Sequence, residues 1–576
     1  DKPTDGLAGA VLAGARAATA GVVLVIDADG SHPPDKIPDV ALPVIRGDKD
    51  MMIGSRYAPG GSTPGWSRKR RMMSRAASAC AWPMTDVHDA LSGYFAVRRD
   101  LMASIPPDAA GFKIALEILV RGGDSLRVGE APIVFVDREL GQSKMGSKVI
   151  FTYFRRLLAL SGWRESQDTV RQAMLKTGLV WLVDFALFAV AWWLHASLNA
   201  ANLLGFAAGA LLNAWLKLEQ APEEKRRSAP FIARLIFVSL LALFLRGGVL
   251  ATCVHAFGWP WFIAVLPAIV TCWVVFFLGY ALFIWPVREQ YGSGVRWRVA
   301  AMGATAYLLA LRVVYLYTLP LSARLAAARP SAGNWLPLWL RGIGAGLLGS
   351  TGAGINLPAI PCWLIAAWAV FQTSRRLFDK TTAFRALLLF SVLPAFFWAA
   401  SVFSLETVLT TEWALAVWII SFPILWPGKF GLILTGIISV LFWRSAQVGF
   451  LPGLPSGGFH AGGALFFLAA QIVLVTPVAI VGLVRLLSRL ETDPRRMVAG
   501  ASAITMLVAA IASSVGYAAG LWSLAVSAAL WLPLLPFIAA EMQRSAGAAS
   551  SRWWLPIIFG CVLGYGAYFY VLAMGS

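Results

Sequence analysis

Residues 22–34 read Val-Val-Leu-Val-Ile-Asp-Ala-Asp-Gly-Ser-His-Pro-Pro. The opening run is apolar and mostly β-branched, which predicts a short buried strand. Residues 6–20, rich in Ala, Gly and Leu, predict a helix before it. A helix that leads into a fully apolar strand is typical of an α/β fold with a parallel sheet. Further strands are predicted at 51–54 and 131–136, and a further helix at 112–121.

Two carboxylates, Asp27 and Asp29, follow the strand directly and are one residue apart. The carboxyl end of such a strand is where α/β folds bind their ligands. Paired carboxylates supply the oxygen ligands that Mg²⁺ or Mn²⁺ prefers, and the cation can bridge to phosphates. The alternative is an Asp-rich surface turn. The apolar strand before the pair, and His32-Pro33-Pro34 after it, favour the cation site.

The stretch from Asp27 to Pro34 resembles the Asp-Ala-Asp-x-x-His-Pro-Pro motif of dolichol-phosphate mannose synthases in glycosyltransferase family 2. Later stretches resemble the same family in order and spacing: Gly54-Ser55-Arg56-Tyr57, Gly65-Trp66 with Arg70 and Ser74, Asp89 to Tyr94, Gly111-Phe112-Lys113 with Glu117, and Glu130 to Ile133 leading to Arg138, Gly141, Ser143 and Lys144. The resemblance covers residues 1–150 and implies a catalytic domain with an α/β fold of the GT-A, Rossmann-like type.

The resemblance also implies roles for single residues. The expected metal ligands, which would also hold the donor diphosphate, are Asp27, Asp29 and, more weakly, Ser31 in a place where relatives often carry Gln. The expected catalytic residues are Asp27, Asp29, Arg56, Arg70 and Arg138, and the expected substrate-binding residues are Ser74, Asp89, Ser143 and Lys144. Arginine suits the lipid phosphate and the diphosphate because its planar fork matches phosphate oxygens.

Two residues have less certain chemistry. Asp89 is either a donor-site carboxylate or a structural one, and the sequence leaves both open. A phosphate monoester acceptor has a second pKa near 6, as phosphorylated side chains do, so it needs little help from a general base. His32 is therefore expected to support the loop rather than to transfer protons.

Relatives begin with a strand, a helix and an acidic turn that contact the nucleotide. This chain begins after them, in what resembles the linker before the Asp-x-Asp strand. We therefore expect the catalytic domain to be incomplete at its N-terminus, without the residues that read the base.

Beyond about residue 171 the chain becomes strongly apolar. Only 14% of all residues are charged, against about 25% in soluble proteins. Segments long enough to cross roughly 30 Å of hydrocarbon recur, and about thirteen spans are predicted. They lie near 175–196, 199–217, 231–254, 260–286, 299–319, 357–374, 385–403, 405–423, 430–447, 463–487, 497–516, 519–540 and 553–574. The stretch 335–349 is apolar but short, and both a surface helix and a span stay open for it.

The formal net charge is +19. Lys and Arg cluster in short breaks between the apolar segments, as the positive-inside rule requires. This predicts a multi-pass protein of a bacterial-type inner membrane, with the transferase domain in the cytoplasm. Nucleic-acid binding is not expected, because no binding motif accompanies the charge. The spacing of the five Cys residues argues against a disulfide framework or a zinc site.

The apolar part resembles two membrane families. After a basic amphipathic linker at 151–170, residues 171–290 resemble GtrA-like four-span domains. Residues 297–576 resemble lipid-sugar-dependent transferases of the protein mannosyltransferase and aminoarabinose transferase type. Those enzymes carry an Asp-Glu pair in the first outer loop, whereas residues 319–324 contain no acid, and Asn356 stands where they carry Arg. This region is therefore expected to be a lipid-binding or degenerate module.

The combined expectation is an inverting transfer of mannose from GDP-mannose to polyprenyl phosphate at the cytoplasmic face, giving a β-linked lipid-phosphate sugar. UDP-glucose or another UDP-sugar stays open as the donor. Two further alternatives are a non-enzymatic lipid-sugar flippase or scaffold with a vestigial transferase domain, and an outer-face transferase using Glu406. The expected partners are the nucleotide sugar, the polyprenyl phosphate and the lipid bilayer, and homo-oligomer formation stays open.

Overall fold

The structure is a computed structural model. It describes residues 6–105, 114–136, 147–160, 170–219, 228–280, 293–318, 335–399, 403–425, 531–544 and 554–574, with the single positions 480 and 484. The chain divides into two compact units, Asp1–Gln167 with Leu278–Ala300, and Asp168–Phe277 with Ala301–Ser576.

The first unit is built on one sheet with helices on both faces. The strands are β1 (Val22–Val25), β2 (Met51–Ser55), β3 (Phe95–Arg98) and β4 (Val128–Pro132). The helices are α1 (Gly6–Ala17), α2 (Ile37–Ile45), α3 (Arg68–Ala81), α4 (Arg99–Ala103), α5 (Ile114–Gly122) and α6 (Ser147–Leu160). This confirms the predicted α/β fold.

The sheet is mixed, with the order β1-β3-β2-β4. Strands β2 and β4 are parallel, and β3 is antiparallel to both of its neighbours, so β1, β2 and β4 share one direction. The expectation of a parallel sheet is therefore wrong for β3. Phe95 pairs with Ile53 and Val97 with Met51, so the chain enters β3 at the carboxyl end of β2.

Alternate residues of β2 face two separate cores. Met51 and Ile53 pack in the cluster that contains Leu12 of α1 and Ile118 of α5. Met52 packs on the opposite face, in the cluster formed with α2. Since successive strand side chains point to opposite faces, the apolar run of β2 fits a sheet covered on both sides.

The fourth strand begins earlier than predicted. The sequence indicated 131–136, but the residues that pair with β2 are Val128–Pro132. A Cβ added at Gly129 would lie 2.3 Å from the sulfur of Met52, so a larger residue here would require the Met52 side chain to move. A glycine at that point interrupts the apolar pattern and hides the start of the strand.

The described helices of the second unit are numbered on from α6. They are α7 (Val170–Trp193), α8 (Leu198–Glu219), α9 (Ala229–Ala251), α10 (Trp261–Gly279), α11 (Ser293–Val314, which starts in the first unit), α12 (Trp335–Leu348), α13 (Gly352–Asn356), α14 (Ala359–Leu377), α15 (Lys380–Val392), α16 (Pro394–Ala399), α17 (Leu405–Leu425), α18 (Leu535–Arg544) and α19 (Trp554–Met574).

Five helical segments among the described residues are long and apolar enough to cross a membrane: Leu175–Trp193, Ala229–Ala256, Trp261–Gly279, Gly352–Leu377 and Pro556–Met574. The chain is thus a membrane protein.

Helices α7 to α10 coincide with the first four predicted spans. The GtrA-like assignment of this part stays a prediction. The segment 385–403 is not one helix, because α15 ends at Val392 and α16 starts at Pro394; a proline disfavours helical geometry in the residue before it. Helix α12 has 14 residues, short of the roughly 20 that a span needs. The predicted spans 430–447 and 497–516 lie outside the described residues, as does almost all of 463–487.

Candidate active site

The two carboxylates lie where the sequence placed them, just beyond the end of β1. Both Asp27 and Asp29 are exposed, whereas Ser31 and His32 are buried under the same loop. The turn passes through Gly30 at φ +75°, a conformation that favours glycine. Asp29 Oδ1 accepts hydrogen bonds from the backbone nitrogen and the hydroxyl of Ser31, at 3.1 and 2.5 Å.

His32 holds this loop in place, as predicted. Its Nδ1 accepts a hydrogen bond of 3.1 Å from the backbone nitrogen of Asp27. Its ring stacks on Tyr94, with centroids 5.1 Å apart. The Tyr94 hydroxyl in turn donates to the carbonyl of Pro33. Burial, followed by the negative charges of Asp35 and Asp39, raises the pKa of Tyr94, so the phenol keeps its proton near neutral pH.

The residues of the loop fit a divalent cation that shares its coordination with a diphosphate. Among the described residues, no group of three or more His, Cys, Asp or Glu side chains comes together. Mg²⁺ needs fewer, because it commonly binds one or two carboxylates together with substrate phosphates and water. Asp27 and Asp29 are such a pair. A Cβ added at Gly93 would lie 3.3 Å from Asp27 Oδ2, so the loop that follows Asp89 passes close to this carboxylate.

Arg56 and Asp89 form a bidentate ion pair at the end of β2. Arg56 Nε lies 2.6 Å from Asp89 Oδ2, and Nη2 lies 2.7 Å from Oδ1. The backbone nitrogen of Arg56 donates to the same carboxylate, which is fully buried. Burial lowers the pKa of Arg56, but the hydrogen bond and charge of Asp89 outweigh it and leave the pKa raised. Arg56 is therefore charged, and Asp89 is a direct partner of a predicted site residue.

Two other predicted residues, Arg70 and Ser74, lie one helical turn apart on α3. The guanidinium of Arg70 lies over the Trp66 ring, 4.2 Å from its centroid. The Ser74 hydroxyl accepts a hydrogen bond of 2.6 Å from the hydroxyl of Tyr57. Arg71 points elsewhere, since it donates to the carbonyls of Thr63 and Trp66 and so fixes the loop before the helix.

A row of aromatic rings joins the Asp-x-Asp loop to the arginines. His32 meets Phe135 edge-on at 5.4 Å, and Phe135 meets Trp66 edge-on at 5.5 Å. The Arg56 guanidinium lies 5.5 Å from the Trp66 centroid and 5.6 Å from that of Phe135. Rings at these distances attract a cation through their π faces. The structure thus gathers Asp27, Asp29, Ser31, Arg56, Arg70, Ser74 and Asp89 around one row of rings.

Three predicted site residues, Arg138, Ser143 and Lys144, lie outside the described residues, as does Gly111-Phe112-Lys113. Sequence reasoning missed the roles of Tyr57 and Phe135. Tyr57 directly follows Arg56, and Phe135 lies two residues after the stretch from Glu130 to Ile133. This proximity to the motifs was the only sign in the sequence that either ring could belong to the site. Their contacts arise from segments far apart in the chain.

Comparisons with known proteins agree with this arrangement. Residues 1–105 match the family described as glycosyl transferase family 2. Residues 333–440 match the family described as dolichyl-phosphate-mannose-protein mannosyltransferase.

Individual relatives resemble part of the chain. A dolichol-phosphate mannosyltransferase of Pyrococcus furiosus is 35% identical over 189 residues, which is 31% of this chain and 53% of that protein. One from Mycosarcoma maydis is 37% identical over 163 residues, 28% of this chain and 55% of that protein. A polyprenol monophosphomannose synthase of Mycolicibacterium smegmatis is 35% identical over 141 residues, 23% of this chain and 53% of that protein.

The chain spans just over half the length of these relatives. The family 2 match includes the Asp-x-Asp loop, Arg56, the start of α3 and Asp89, which the fold brings together. The chain therefore carries a glycosyltransferase family 2 domain within residues 1–105, and a second segment, 333–440, of dolichyl-phosphate-mannose-protein mannosyltransferase type.

Proposed function

We propose that this protein transfers mannose from GDP-mannose to a polyprenyl phosphate. The observation that supports the proposal is the row of rings, which runs from the loop of the exposed carboxylate pair to Arg56 and Arg70. Carboxylates suit a cation-bound diphosphate, and arginines suit a phosphate acceptor. The names of the relatives support mannose as the sugar and a polyprenol-type lipid phosphate as the acceptor.

In this proposal Asp27 and Asp29 hold a Mg²⁺ or Mn²⁺ ion with the donor diphosphate. The cation would offset the charge that develops on the leaving nucleoside diphosphate. Ser31 orients Asp29 through its hydroxyl. His32 fixes the backbone of the loop by accepting a hydrogen bond from the backbone nitrogen of Asp27. These contacts keep the carboxylates in place before the donor arrives.

Arg56 and Arg70 hold the acceptor phosphate. Asp89 occupies the Nε and Nη2 edge of Arg56, while Nη1 makes no hydrogen bond to any described residue. We assign that edge to an oxygen of the acceptor phosphate. A phosphate monoester carries nearly two negative charges at neutral pH and attacks the sugar without a protein base. Attack opposite the leaving diphosphate inverts the configuration at the sugar carbon.

We further propose that the site faces the cytoplasm of a cell with a bacterial-type inner membrane, and that the protein crosses this membrane many times. The basic breaks between apolar segments support this orientation. The segment matched at 333–440 would then receive or bind the lipid-linked sugar.

The test is transfer of radiolabelled sugar to polyprenyl phosphate in membranes that contain the protein. GDP-mannose and UDP-glucose are offered separately, each with and without Mg²⁺. The proposal expects cation-dependent labelled lipid from GDP-mannose, its loss in Asp29→Ala, and its retention in Asp48→Asn, an exposed acid outside the site. Transfer from UDP-glucose but not from GDP-mannose would show that the donor is a UDP-sugar. If neither donor gave labelled lipid, the synthase proposal would be refuted and a lipid-sugar carrier would be favoured.

A further inference from the structure

Glu130, which no part of the proposed chemistry uses, is connected to Arg56 through two layers of hydrogen bonds. It lies on β4, opposite Ile53 of β2. Its side chain is mostly buried, at 14% exposure, although it is a carboxylate. A buried carboxylate needs hydrogen-bond donors, and the donors to Glu130 show which part of the chain it holds in place.

Among the described residues, the donors to Glu130 belong to two adjacent positions. The backbone nitrogens of His88 and Asp89 lie 3.1 and 3.2 Å from Glu130 Oε1. The His88 ring nitrogen Nδ1 lies 2.6 Å from Oε2. Glu130 therefore fixes the backbone from which the Asp89 side chain extends.

Asp89 passes this constraint to Arg56. Its carboxylate is fully buried and accepts three hydrogen bonds from Arg56, one from the backbone nitrogen and two from the guanidinium. A bidentate pair defines the plane of the guanidinium as well as its position. If the Asp89 backbone shifts, the Arg56 plane must shift with it.

We propose that Glu130 is a positioning residue, which acts through Asp89 to hold Arg56 with its Nη1 edge toward the phosphate of the lipid acceptor. This rests on the proposed function, because the acceptor is the ligand that Arg56 would bind. Glu130 itself touches no substrate. The pairing of β2 with the edge strand β4 then aligns two loops as well as extending the sheet.

The experiment compares Glu130→Ala, Glu130→Gln and Asp89→Asn in the full-length protein. We expect Glu130→Ala to raise the KM for polyprenyl phosphate about tenfold, because a buried hydrogen-bonded network loses its acceptor. Glu130→Gln keeps one acceptor oxygen for the two backbone nitrogens and should show a smaller increase. The KM for the nucleotide sugar should stay within about twofold in both, since the Asp-x-Asp loop is held by other contacts.

The double variant Glu130→Ala/Asp89→Asn separates this role from general stabilisation. Residues that act through one another give non-additive effects. The double variant should thus be no worse than Asp89→Asn alone. Additive losses, or a change confined to the nucleotide sugar, would overturn the proposal.

A readout independent of turnover is the reaction of Arg56 with an arginine-selective dicarbonyl, followed by peptide mass spectrometry. Arg56 is shielded, with 12% of its side chain exposed, and exposed Arg68 serves as an internal reference. Labelling of Arg56 should rise severalfold in Glu130→Ala and remain low in Asp48→Asn. Unchanged labelling would refute the positioning role even if activity fell. If the unmodified protein transfers no sugar, the proposed function fails while this labelling still decides what Glu130 does.

Discussion

Ser31 donates two hydrogen bonds to one oxygen of Asp29, from its backbone nitrogen at 3.1 Å and from its hydroxyl at 2.5 Å. The sequence suggested Ser31 as a weak metal ligand. With 2% of its surface exposed and its hydroxyl directed at Asp29, it is better suited to orient the carboxylate. Residues that orient metal ligands are often as important as the ligands.

Replacing Ser31 therefore tests the proposed metal site. In Ser31→Ala, Asp29 loses one of these two hydrogen bonds, and the Mg²⁺ concentration for half-maximal transfer should rise about tenfold. The KM for polyprenyl phosphate should change little. The measurement is a Mg²⁺ titration of sugar transfer, with Ser31→Thr as a control that keeps the hydroxyl. An unchanged Mg²⁺ requirement in Ser31→Ala would contradict this role.

Neighbouring arginines on α3 should behave differently. Arg70 lies over Trp66 beside the site, whereas Arg71 donates to the carbonyls of Thr63 and Trp66. Arg70→Ala should raise the KM for polyprenyl phosphate about tenfold, because the proposed charged hydrogen bond to the phosphate is lost. Arg71→Ala should instead lower the thermal midpoint, by freeing the loop.

The matched control for both arginines is Arg68→Ala, since Arg68 is exposed at the start of the same helix. Kinetics at varied lipid concentration and thermal unfolding in detergent give the two readouts. The assignment of α3 to the acceptor would be wrong if Arg68→Ala and Arg70→Ala raised the KM equally.

Asp50 makes the stability of the first unit depend on pH. It accepts hydrogen bonds from Arg127 Nε and Nη2 at 3.0 and 2.8 Å, and lies 3.4 Å from Arg98 Nη1. The hydrogen bond from the Arg127 side chain is the main reason that the pKa of Asp50 lies well below its ordinary value. The folded state thus binds a proton less readily than the unfolded state. The stabilisation is complete above the unfolded pKa of about 3.9 and is lost as pH falls toward the folded value.

Asp50→Asn removes this dependence. The original protein should be more stable than the variant at neutral pH, and its advantage should shrink as pH falls below about 4. Both arginines are about half exposed, so the change should not exceed roughly 1 kcal/mol. Thermal midpoints across pH provide the measurement, with Asp48→Asn as the exposed control. A difference that stays constant with pH would exclude Asp50 as the titrating group.

The sequence could predict the parts of the site that are local. The strand 22–25 and its carboxylates are adjacent in the chain, and their apolar-then-acidic pattern is readable without a fold. The same holds for the long apolar helices, whose length and apolar composition together indicate the membrane. By contrast, the direction of β3 depends on the path by which the chain returns to the sheet. No short stretch of sequence indicates that path.

Contacts between distant segments could not be predicted for the same reason. The sequence left open whether Asp89 is a donor-site or a structural carboxylate. The contacts that bear on this question come from Arg56, 33 residues earlier, which donates to the Asp89 carboxylate, and from Glu130, 41 residues later, which accepts from the Asp89 backbone nitrogen. Gly129 also shows why β4 was misplaced, since its missing side chain matters only once Met52 lies opposite.

Within the second unit, a buried ion pair joins two helices of the predicted four-span part. Arg246 of α9 is fully buried; its Nη2 lies 2.8 Å from Asp184 Oδ1 of α7, and its Nη1 donates to Oδ2. Arg246 Nε also donates to Asn202 of α8, whose amide nitrogen donates to the Tyr570 hydroxyl of α19. This network connects the last helix to three earlier ones.

Removing one charge should be far more damaging than removing both. Arg246→Met leaves the Asp184 carboxylate buried without its partner, and the expected loss is about 3–5 kcal/mol. The double variant Asp184→Leu/Arg246→Met removes both charges, and should recover most of that loss because well-packed apolar residues can replace a buried pair. Tyr570→Phe, which removes only hydrogen bonds, should cost about 1 kcal/mol. Thermal unfolding in detergent measures all three. Equal losses in the single and double variants would mean that the polar network itself, rather than charge balance, holds these helices together.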